Sequence, residues 1–460
     1  MTLLKRRHFQ SISGLGAMSV ALQSLLADDG VQVSTGPHHK PSARSVIFLF
    51  MSGGPSQVDT FDPKPALTEL TGKDVPESIA SRVPPIKRAG LRNLMASPWK
   101  FQQHGQCGQP VSELFPAVAE HVDSLCLIRS MSHNNPVHGP AECVALTGTA
   151  AGDRPGLGAW SLYGLGTPNQ NLPGLLAMNI HTDGMQHPQA AGWGAGFLPS
   201  RYQGTLIDSQ KGIRHTSMPT TTTVSQRKAE LALLKSLNER HLESIRDQSD
   251  LAARIASYET AFAMQTSAPE LFDISGETRA TQARYGLEHP ETAETGRACL
   301  LSRRMVQRGV RFVQLRIGGW DAHGNIKGNH TRMAARTDQP VAALLADLKQ
   351  HDLLDSTLVV WGGEFGRTPT MEGLGNGRDH SPAAYTVWLA GGGVQGGQAI
   401  GQTDEIGYTV TERPFRPQDL HATILHAVGI DSTRLTFEHH GLIESPVGVT
   451  RANVIPDVFG

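Results

Sequence analysis

The chain has 460 residues, about three times the length of an average single domain. Hydrophobic residues make up 39% and charged residues 18%, so most of the length can form a packed core rather than a disordered segment. The 41 basic and 42 acidic residues nearly cancel, which argues against nucleic acid as a partner. Four cysteines without a CxxC pair exclude a cysteine zinc cluster and a disulfide scaffold, whereas 20 histidines point to metal or proton chemistry.

The N-terminus has the pattern of an export signal. Arg6 and Arg7 precede Phe9 and a weakly apolar stretch over 11–27, as in bacterial twin-arginine signals. This stretch is too short and too polar for a stable membrane span, and no later segment is apolar for long enough. We predict a signal peptide over 1–27, a flexible leader over 28–44, and a periplasmic or secreted protein exported by the twin-arginine machinery. An ordinary basic N-terminal helix is the alternative.

Apolar runs of strand length recur along the chain, and most break into glycines or polar residues. They predict strands at 45–51, 124–129, 310–317, 357–361 and 385–390. Helices are predicted between them, at 111–122, 141–146, 331–351 and 417–428. This alternation predicts an α/β fold with a doubly wound, mostly parallel sheet over 45–460. Residues 224–308, with leucines at helical spacing, are predicted to form a helical insertion packed on the sheet.

The carboxyl ends of these strands, where ligands bind in such sheets, collect residues that can carry chemistry. Those just past the strands are Asp321, His323, Glu364, Arg367, Asp379 and His380. Carboxylates and imidazoles suit zinc or manganese, and a planar guanidinium suits phosphate, sulfate or carboxylate. A polar loop over 133–140 leads into a helix, where His138 could act as base, nucleophile or ligand. Each feature alone fits a structural role, but their coincidence at one sheet edge favours a metal or anion site.

Several motifs together resemble one known family. They are Ser52-Gly53-Gly54-Pro55-Ser56-Gln57-Val58-Asp59, Ile128-Arg129-Ser130-Met131, Gly319-Trp320-Asp321-Ala322-His323, Gly363-Glu364-Phe365-Gly366-Arg367-Thr368 and Arg378-Asp379-His380. With the twin-arginine start, they closely resemble the domain-of-unknown-function 1501 family across nearly the whole mature chain. That family looks like a branch of the alkaline phosphatase and sulfatase superfamily, whose members hydrolyse phosphate or sulfate esters over a bimetal centre. The resemblance implies an alkaline phosphatase-like fold.

The superfamily pattern, carried over by position, implies a set of roles. One metal would be held by Asp321, His323 and His380, with Glu364 at or near a weakened second position. His138 stands where the superfamily has its nucleophile, so it would be nucleophile or general base. The remaining expected site residues are Asp379 and Asp59 for a metal, and Arg367, His133, Asn135 and Ser52 for the substrate. Asp59 is the nearest substitute for an acid that is missing after the first strand.

This chain also departs from the superfamily pattern. Phe365 replaces a histidine ligand, and the formylglycine signature of sulfatases is absent from the sequence. We expect an exported metal-dependent hydrolase-like protein that uses zinc, manganese or calcium on an anionic small-molecule or polysaccharide ester of phosphate or sulfate. The alternative is a non-catalytic binding or structural protein on a degenerate fold of this type. A third reading, a carbohydrate-binding partner, rests on the sulfatase kinship and tryptophans such as Trp193 and Trp320.

Overall fold

The computed structural model describes residues 36–83, 90–169, 171–182, 192–212, 270–372 and 375–460, with a few helical positions between 226 and 237. The strands in chain order are β1 (Ser45–Met51), β2 (Phe101–His104), β3 (Gln109–Ser112), β4 (Leu125–Met131), β5 (Leu175–Ile180), β6 (Thr205–Ile207), β7 (Phe312–Ile317), β8 (Thr357–Gly362), β9 (Gly366–Arg367), β10 (His380–Ser381), β11 (Tyr385–Ala390), β12 (Gln398–Ile400), β13 (Gln402–Thr403), β14 (Val410–Glu412), β15 (Phe437–His439) and β16 (Leu442–Glu444). The α-helices are α1 (Gln57–Thr60), α2 (Ala66–Leu70), α3 (Glu77–Ala80), α4 (Pro116–Ala119), α5 (His138–Thr147), α6 (Leu157–Leu165), α7 (Arg279–Arg284), α8 (Pro290–Gln307), α9 (Ile326–Gln350) and α10 (Pro417–Ala427).

Eight of these strands form one central sheet in the order β12-β4-β11-β8-β1-β7-β5-β6. Strand β1 pairs in parallel with β7 and β8, and β5 pairs in parallel with β6 and β7. Strand β11 runs antiparallel to both of its neighbours, β4 and β8. The sheet is therefore mixed but mostly parallel, as predicted.

Both faces of the sheet are covered by helices, and β1 shows why its sequence is apolar throughout. Ile47, Leu49 and Met51 pack in one core with residues of α8 and α9, whereas Val46 and Phe48 pack in a second core with residues of α6 and α10. Successive side chains point to opposite faces of a strand, so a strand covered on both sides needs apolar residues at every position. The helix-flanked arrangement predicted from sequence is confirmed.

The helix predicted over 111–122 is wrong. Residues Gln109–Ser112 form strand β3, which pairs with β2, and only Pro116–Ala119 is helical. Pro116 lies inside this stretch, and a proline lacks the backbone N–H that a helix interior needs, so a continuous helix over 111–122 is disfavoured. Pro116 instead stands at the first turn of the short helix, where the missing N–H costs nothing.

The predicted leader and insertion fall partly outside the described residues. The whole of 1–27 lies outside them, but residues 36–44 are not a loose leader: the His38 and Ala43 N–H groups donate to the carbonyls of Gly429 and Ala427. Most of 224–269 also lies outside. The later part of the predicted insertion includes α8, which contacts β7 and α9 as a helix of the sheet-covering layer. Within the described part of the chain, no helix has the length and hydropathy needed to cross a bilayer.

Candidate metal centre

The candidate site lies next to the turn that follows β1, and this turn packs closely against the loop after β7. Gly53 has φ +111°, and a Cβ at this position would lie 2.4 Å from the Asp321 backbone nitrogen. Only glycine accepts both this backbone conformation and this approach. The Ser52 carbonyl accepts a hydrogen bond from the Trp320 N–H at 3.3 Å, so the turn after β1 and the loop after β7 are held together.

Four side chains converge beside this turn. His138, Asp321, His323 and His380 each offer one ligand atom, and these atoms all lie within 4.8 Å of one another. His323 Nε2 lies 2.9 Å from His380 Nε2, and Asp321 Oδ1 lies 3.2 Å and 3.3 Å from these two nitrogens. His138 Nε2 lies 3.3 Å from Asp321 Oδ2. Two ligands on one tetrahedral zinc ion are separated by about 3.3 Å, so these spacings fit a shared cation.

All three imidazoles are oriented by an oxygen acceptor on their other nitrogen. The Nδ1 partners are Glu364 Oε1 for His138 at 2.7 Å, Glu372 Oε2 for His323 at 2.6 Å, and the Pro136 carbonyl for His380 at 2.6 Å. A carbonyl or carboxylate oxygen can only accept, so each Nδ1 carries a hydrogen and each neutral ring keeps its Nε2 lone pair free. Protein metal ligands show this arrangement, in which the outer partner sets the tautomer and the ring orientation.

His138 supplies a further sign that a cation fits here. Its Nε2 is buried and, among the described residues, has no hydrogen-bond partner, although Asp321 Oδ2 lies 3.3 Å away. A buried nitrogen in this state is costly. An ion at the common point would satisfy it, so the residues present fit a divalent metal.

The electrostatics favour positive charge at this point. Burial disfavours a charged His138, yet the carboxylates of Asp321 and Glu364 raise its pKa to about 9. Burial also opposes ionisation of Asp321, but the three histidines and Arg367 hold its pKa well below the usual range. Burial lowers the pKa of His380 to about 4, so this imidazole is neutral at pH 7 and available as a ligand. Without a metal, a proton on His138 occupies the place of the cation.

Glu364 contacts the Nδ1 atom of His138 and is not one of the four candidate ligands. Its Oε1 accepts from His138 Nδ1 and from the Gly53 N–H at 2.9 Å, and it is not a member of the four-residue group. The buried ring of Phe365 packs against the rings of His138 and His380, with centroids 4.9 Å and 4.5 Å away. An apolar ring thus fills the space on that side of the two histidines.

The expected anion-binding role of Arg367 needs correction. Its guanidinium is fully buried and donates to the carbonyls of Gly53, Gly54 and Arg378 and, at 2.6 Å, to Asp321 Oδ1. With these donors engaged, Arg367 cannot turn to a substrate without breaking them. Its position instead fixes the Asp321 carboxylate and the turn after β1.

Asp59 does not join the group either. Its carboxylate is fully buried and accepts from Arg378 Nε at 2.7 Å and from Ser56 Oγ at 2.6 Å. Burial alone would raise the pKa of Asp59, but the Arg378 guanidinium holds it below the usual value. The pair Asp59–Arg378 is thus a structural ion pair, and Asp59 has no oxygen directed to the four ligands.

The other expected site residues line the surroundings of the centre. Asp379 Oδ1 accepts from the His380 N–H at 2.7 Å and lies 3.9 Å from His323 Nδ1. His133 donates from Nε2 to the Glu364 carbonyl and accepts at Nδ1 from the Asn135 N–H, and burial lowers its pKa to about 4. Ser52 donates to Glu142 within the core. None of these contacts leaves Ser52 or the His133 ring free to meet a substrate.

Comparison with known proteins assigns the chain to a protein family. Residues 43–459 match the family model described as "Protein of unknown function (DUF1501)". The chain belongs to this family. No curated protein sequence matches it.

The DUF1501 chain is also similar to solved structures of a sulfatase and of an alkaline phosphatase. The PsFucS1 sulfatase from Pseudoalteromonas sp. is 10% identical, with 91% of this chain and 72% of that chain covered and a TM-score of 0.35. The alkaline phosphatase from the Antarctic bacterium TAB5 is also 10% identical, with 76% and 92% covered and a TM-score of 0.30. Because both TM-scores are low, these likenesses establish neither a shared fold nor a shared activity.

Glu372 is the site residue that sequence reasoning missed. It lies 49 positions from His323 in the chain, and neither residue spacing nor a strand end marks it. The backbones of Glu372 and Gly377 exchange two hydrogen bonds. A Cβ atom at Gly377 would lie 2.0 Å from the His323 carbonyl oxygen, so only glycine fits there. This close packing brings the Glu372 carboxylate to His323. The side chains of Asp321, His323 and Glu372 are each about one-third exposed, so this side of the centre is open to solvent.

Proposed function

We propose that this DUF1501 chain is an exported, metal-dependent hydrolase of phosphate or sulfate esters on an alkaline phosphatase-like fold. The observation that carries the proposal is the convergence of three Nε2 atoms and one carboxylate, with every Nδ1 held by an oxygen. Such an arrangement at the carboxyl ends of parallel strands, open to solvent on one side, is suited to catalysis more than to structural support.

The donor set narrows the choice of metal. Three imidazoles and one carboxylate suit zinc or manganese, whereas calcium takes oxygen ligands almost exclusively. Of the three metals expected from sequence, calcium therefore fits least well. A divalent ion held here would polarise an ester oxygen and activate water.

The residues of the chain have distinct tasks in this proposal. Asp321, His323, His380 and His138 bind the ion, so His138 is a ligand rather than the nucleophile. Glu364 and Glu372 are positioning residues that hold the rings of His138 and His323 through their Nδ1 hydrogens. Arg367 fixes Asp321 through its 2.6 Å hydrogen bond.

The test is metal content and turnover in the same preparations. We expect about one zinc or manganese ion per chain by plasma mass spectrometry of untagged protein, and hydrolysis of aryl phosphates, phosphodiesters or sulfates that depends on it. Asp321→Ala should abolish both metal uptake and hydrolysis. Asp74→Ala is the matched control, because this exposed aspartate lies between α2 and α3, outside the centre; it should keep both the metal and the hydrolysis. Full activity of Asp321→Ala would refute the proposal.

The packing of Phe365 favours a second candidate, a non-catalytic binding or structural protein. Its ring occupies the side of His138 and His380 where another ligand could stand, so the centre holds fewer ligands than a bimetal esterase requires. A protein that binds one metal per chain but turns over none of the esters would favour this candidate. Carbohydrate stacking on Trp193 or Trp320 has no support, because their side chains are 8% and 0% exposed.

A further inference from the structure

We infer that the centre selects an ester whose reacting group carries one negative charge, a phosphate diester or a sulfate monoester, over a doubly charged phosphate monoester. The inference rests on the proposed function and concerns the substrate class of the same site. It comes from the balance of charges that the fold places around the four ligands.

Carboxylates outnumber guanidinium groups at the centre. Asp321 is a ligand, and Glu364, Glu372 and Asp379 each contact a ligand residue. Arg367 is the cation that contacts this group, through Asp321. Four carboxylates, one guanidinium and a divalent ion leave a net charge of minus one, and a proton on Asp379 would raise it only to zero.

The neighbouring arginines are already committed to other partners. Arg367 donates to three backbone carbonyls as well as to Asp321. Arg378 and Arg316 are buried and paired with Asp59 and Glu142. Freeing any of these guanidinium groups would leave a buried carboxylate or carbonyl without its donor, which is costly.

A centre with this net charge repels a doubly charged ligand more strongly than a singly charged one. Helix α5 begins at His138 itself, and a helix N-terminus contributes about half a positive charge. This contribution offsets part of the net negative charge, so a monoanion that binds the ion meets little repulsion. A dianion would bring its second charge close to Glu372 and Asp379, and like charges at short range repel each other.

The test uses binding, so it does not depend on turnover. Cobalt-loaded protein is titrated at pH 8 with dimethyl phosphate, methyl sulfate or methyl phosphate, and the visible absorption of the cobalt ion reports occupation of the centre. We expect at least one of the two monoanions to bind tenfold or more tightly than methyl phosphate. Comparison of the dimethyl phosphate and methyl sulfate titrations shows whether a diester or a sulfate is preferred. Equal or tighter binding of methyl phosphate, or no spectral change with any ligand, would overturn the inference.

A charge-removing variant checks the physical cause. Glu372→Gln keeps an oxygen acceptor for His323 Nδ1 but removes one negative charge, so the preference for the monoanion should shrink several-fold. Glu438→Gln, on the separate β15–β16 hairpin, removes the same charge and should leave the preference unchanged. Equal preferences in both variants would contradict the electrostatic explanation.

Failure of the inference is distinguishable from failure of the proposed function. A protein that binds the monoanions tightly but hydrolyses none of the corresponding nitrophenyl esters would refute the hydrolase and leave the charge selectivity standing. A protein that hydrolyses nitrophenyl phosphate fastest would support the hydrolase and refute the selectivity. A protein that takes up no cobalt would refute both.

Discussion

Single residues at the centre have little freedom to change, and Gly53 is the sharpest case. Its N–H donates to Glu364, its carbonyl accepts from Arg367, and its missing Cβ leaves room for the Trp320–Asp321 backbone. One glycine thus connects the loops that carry Glu364, Arg367 and Asp321.

Gly53→Ala should therefore weaken metal binding by tenfold or more, because the added Cβ displaces the Asp321 backbone. Competition with a coloured chelator measures the affinity. Gly72→Ala is the matched control: Gly72 also has a positive φ, +80°, but a Cβ there meets nothing within 4 Å. The control should cost about 1 kcal/mol of stability and keep the metal affinity; an equal loss of affinity in both variants would contradict the steric explanation.

A second residue-scale effect concerns pH and a histidine outside the ligand group. His330 is completely buried, its Nε2 accepts from the Ser56 N–H at 3.0 Å, and burial lowers its pKa to about 3. Because this pKa is lower than the value of about 6.5 in the unfolded chain, the unfolded state binds a proton first as the pH falls. The contribution of His330 to stability is complete above pH 6.5 and is lost as the pH falls from there towards 3.

We expect His330 to account for a loss of about 2 kcal/mol in the free energy of unfolding between pH 7 and pH 5. Urea unfolding at the two pH values measures this loss in the wild type and in His330→Phe, which cannot titrate. The variant should be less stable at pH 7 but should lose about 2 kcal/mol less on acidification. The exposed His289→Gln should follow the wild type, and identical pH dependence in all three proteins would be evidence against the assignment.

At the scale of elements, the ligand-bearing helix α5 is tied to the sheet by a buried ion pair. Glu142, one turn after His138, accepts from Ser52 Oγ at the end of β1 and contacts Arg316 of β7. Both charged side chains are almost completely buried, at 1% and 2% exposure. This connection sets where helix α5 begins relative to the strand ends, and so where His138 stands.

Glu142→Leu should lower the free energy of unfolding by about 3–5 kcal/mol, because it leaves the Arg316 charge buried without its carboxylate. The double variant Glu142→Leu/Arg316→Met removes both charges and should recover a large part of that loss. Urea unfolding of the wild type, of Glu142→Leu, of Arg316→Met and of the double variant measures the difference. A double variant as unstable as the sum of both single variants would show that the pair is not coupled.

At the scale of the whole molecule, a metal that binds only the folded chain must stabilise it. The four ligands come from the loop after β7, from β10 and from the start of α5, positions that meet only when the sheet is formed. Unfolding therefore separates the ligands and releases the ion.

Zinc at 100 times its dissociation constant should raise the free energy of unfolding by about 2.7 kcal/mol. Thermal unfolding in the presence of zinc, calcium or a chelator measures the effect. The melting temperature should rise with zinc, rise much less with calcium, and fall to the chelator value in Asp321→Ala. Equal stabilisation of the wild type and Asp321→Ala by zinc would place the metal elsewhere.

Much of the architecture could be predicted from sequence because burial on both faces leaves a direct pattern. The strands at 45–51 and 385–390 have the predicted bounds, since their apolar side chains pack against one or the other of two helical layers. The stretch over 111–122 failed because its apolar residues fit a helix and a strand equally well. Pairing with Phe101–His104 in a hairpin decided in favour of the strand.

Part of the candidate site could also be predicted from the sequence. Asp321 and His323 follow the parallel strand β7, so their place at the carboxyl edge of the sheet follows from topology. His380 lies in β10, before the antiparallel strand β11, which begins at the same edge. The roles of Arg367 and Asp59 could not be predicted in this way. A guanidinium after a strand looks the same in sequence whether it faces a substrate or, as here, the carbonyls of Gly53 and Gly54.

The sequence by itself therefore determined the mostly parallel sheet, its helical cover and the residues with ligand chemistry at the strand ends. Only the tertiary structure decided that His138 lies among the ligands and that Glu372 holds His323. It also decided that Arg367 donates its hydrogen bonds to groups of the protein rather than to a substrate. The physical reason is the distance along the chain over which each kind of contact acts. Strand and helix patterns repeat over a few neighbouring residues, whereas a hydrogen bond between His323 and Glu372 depends on how two loops pack in space.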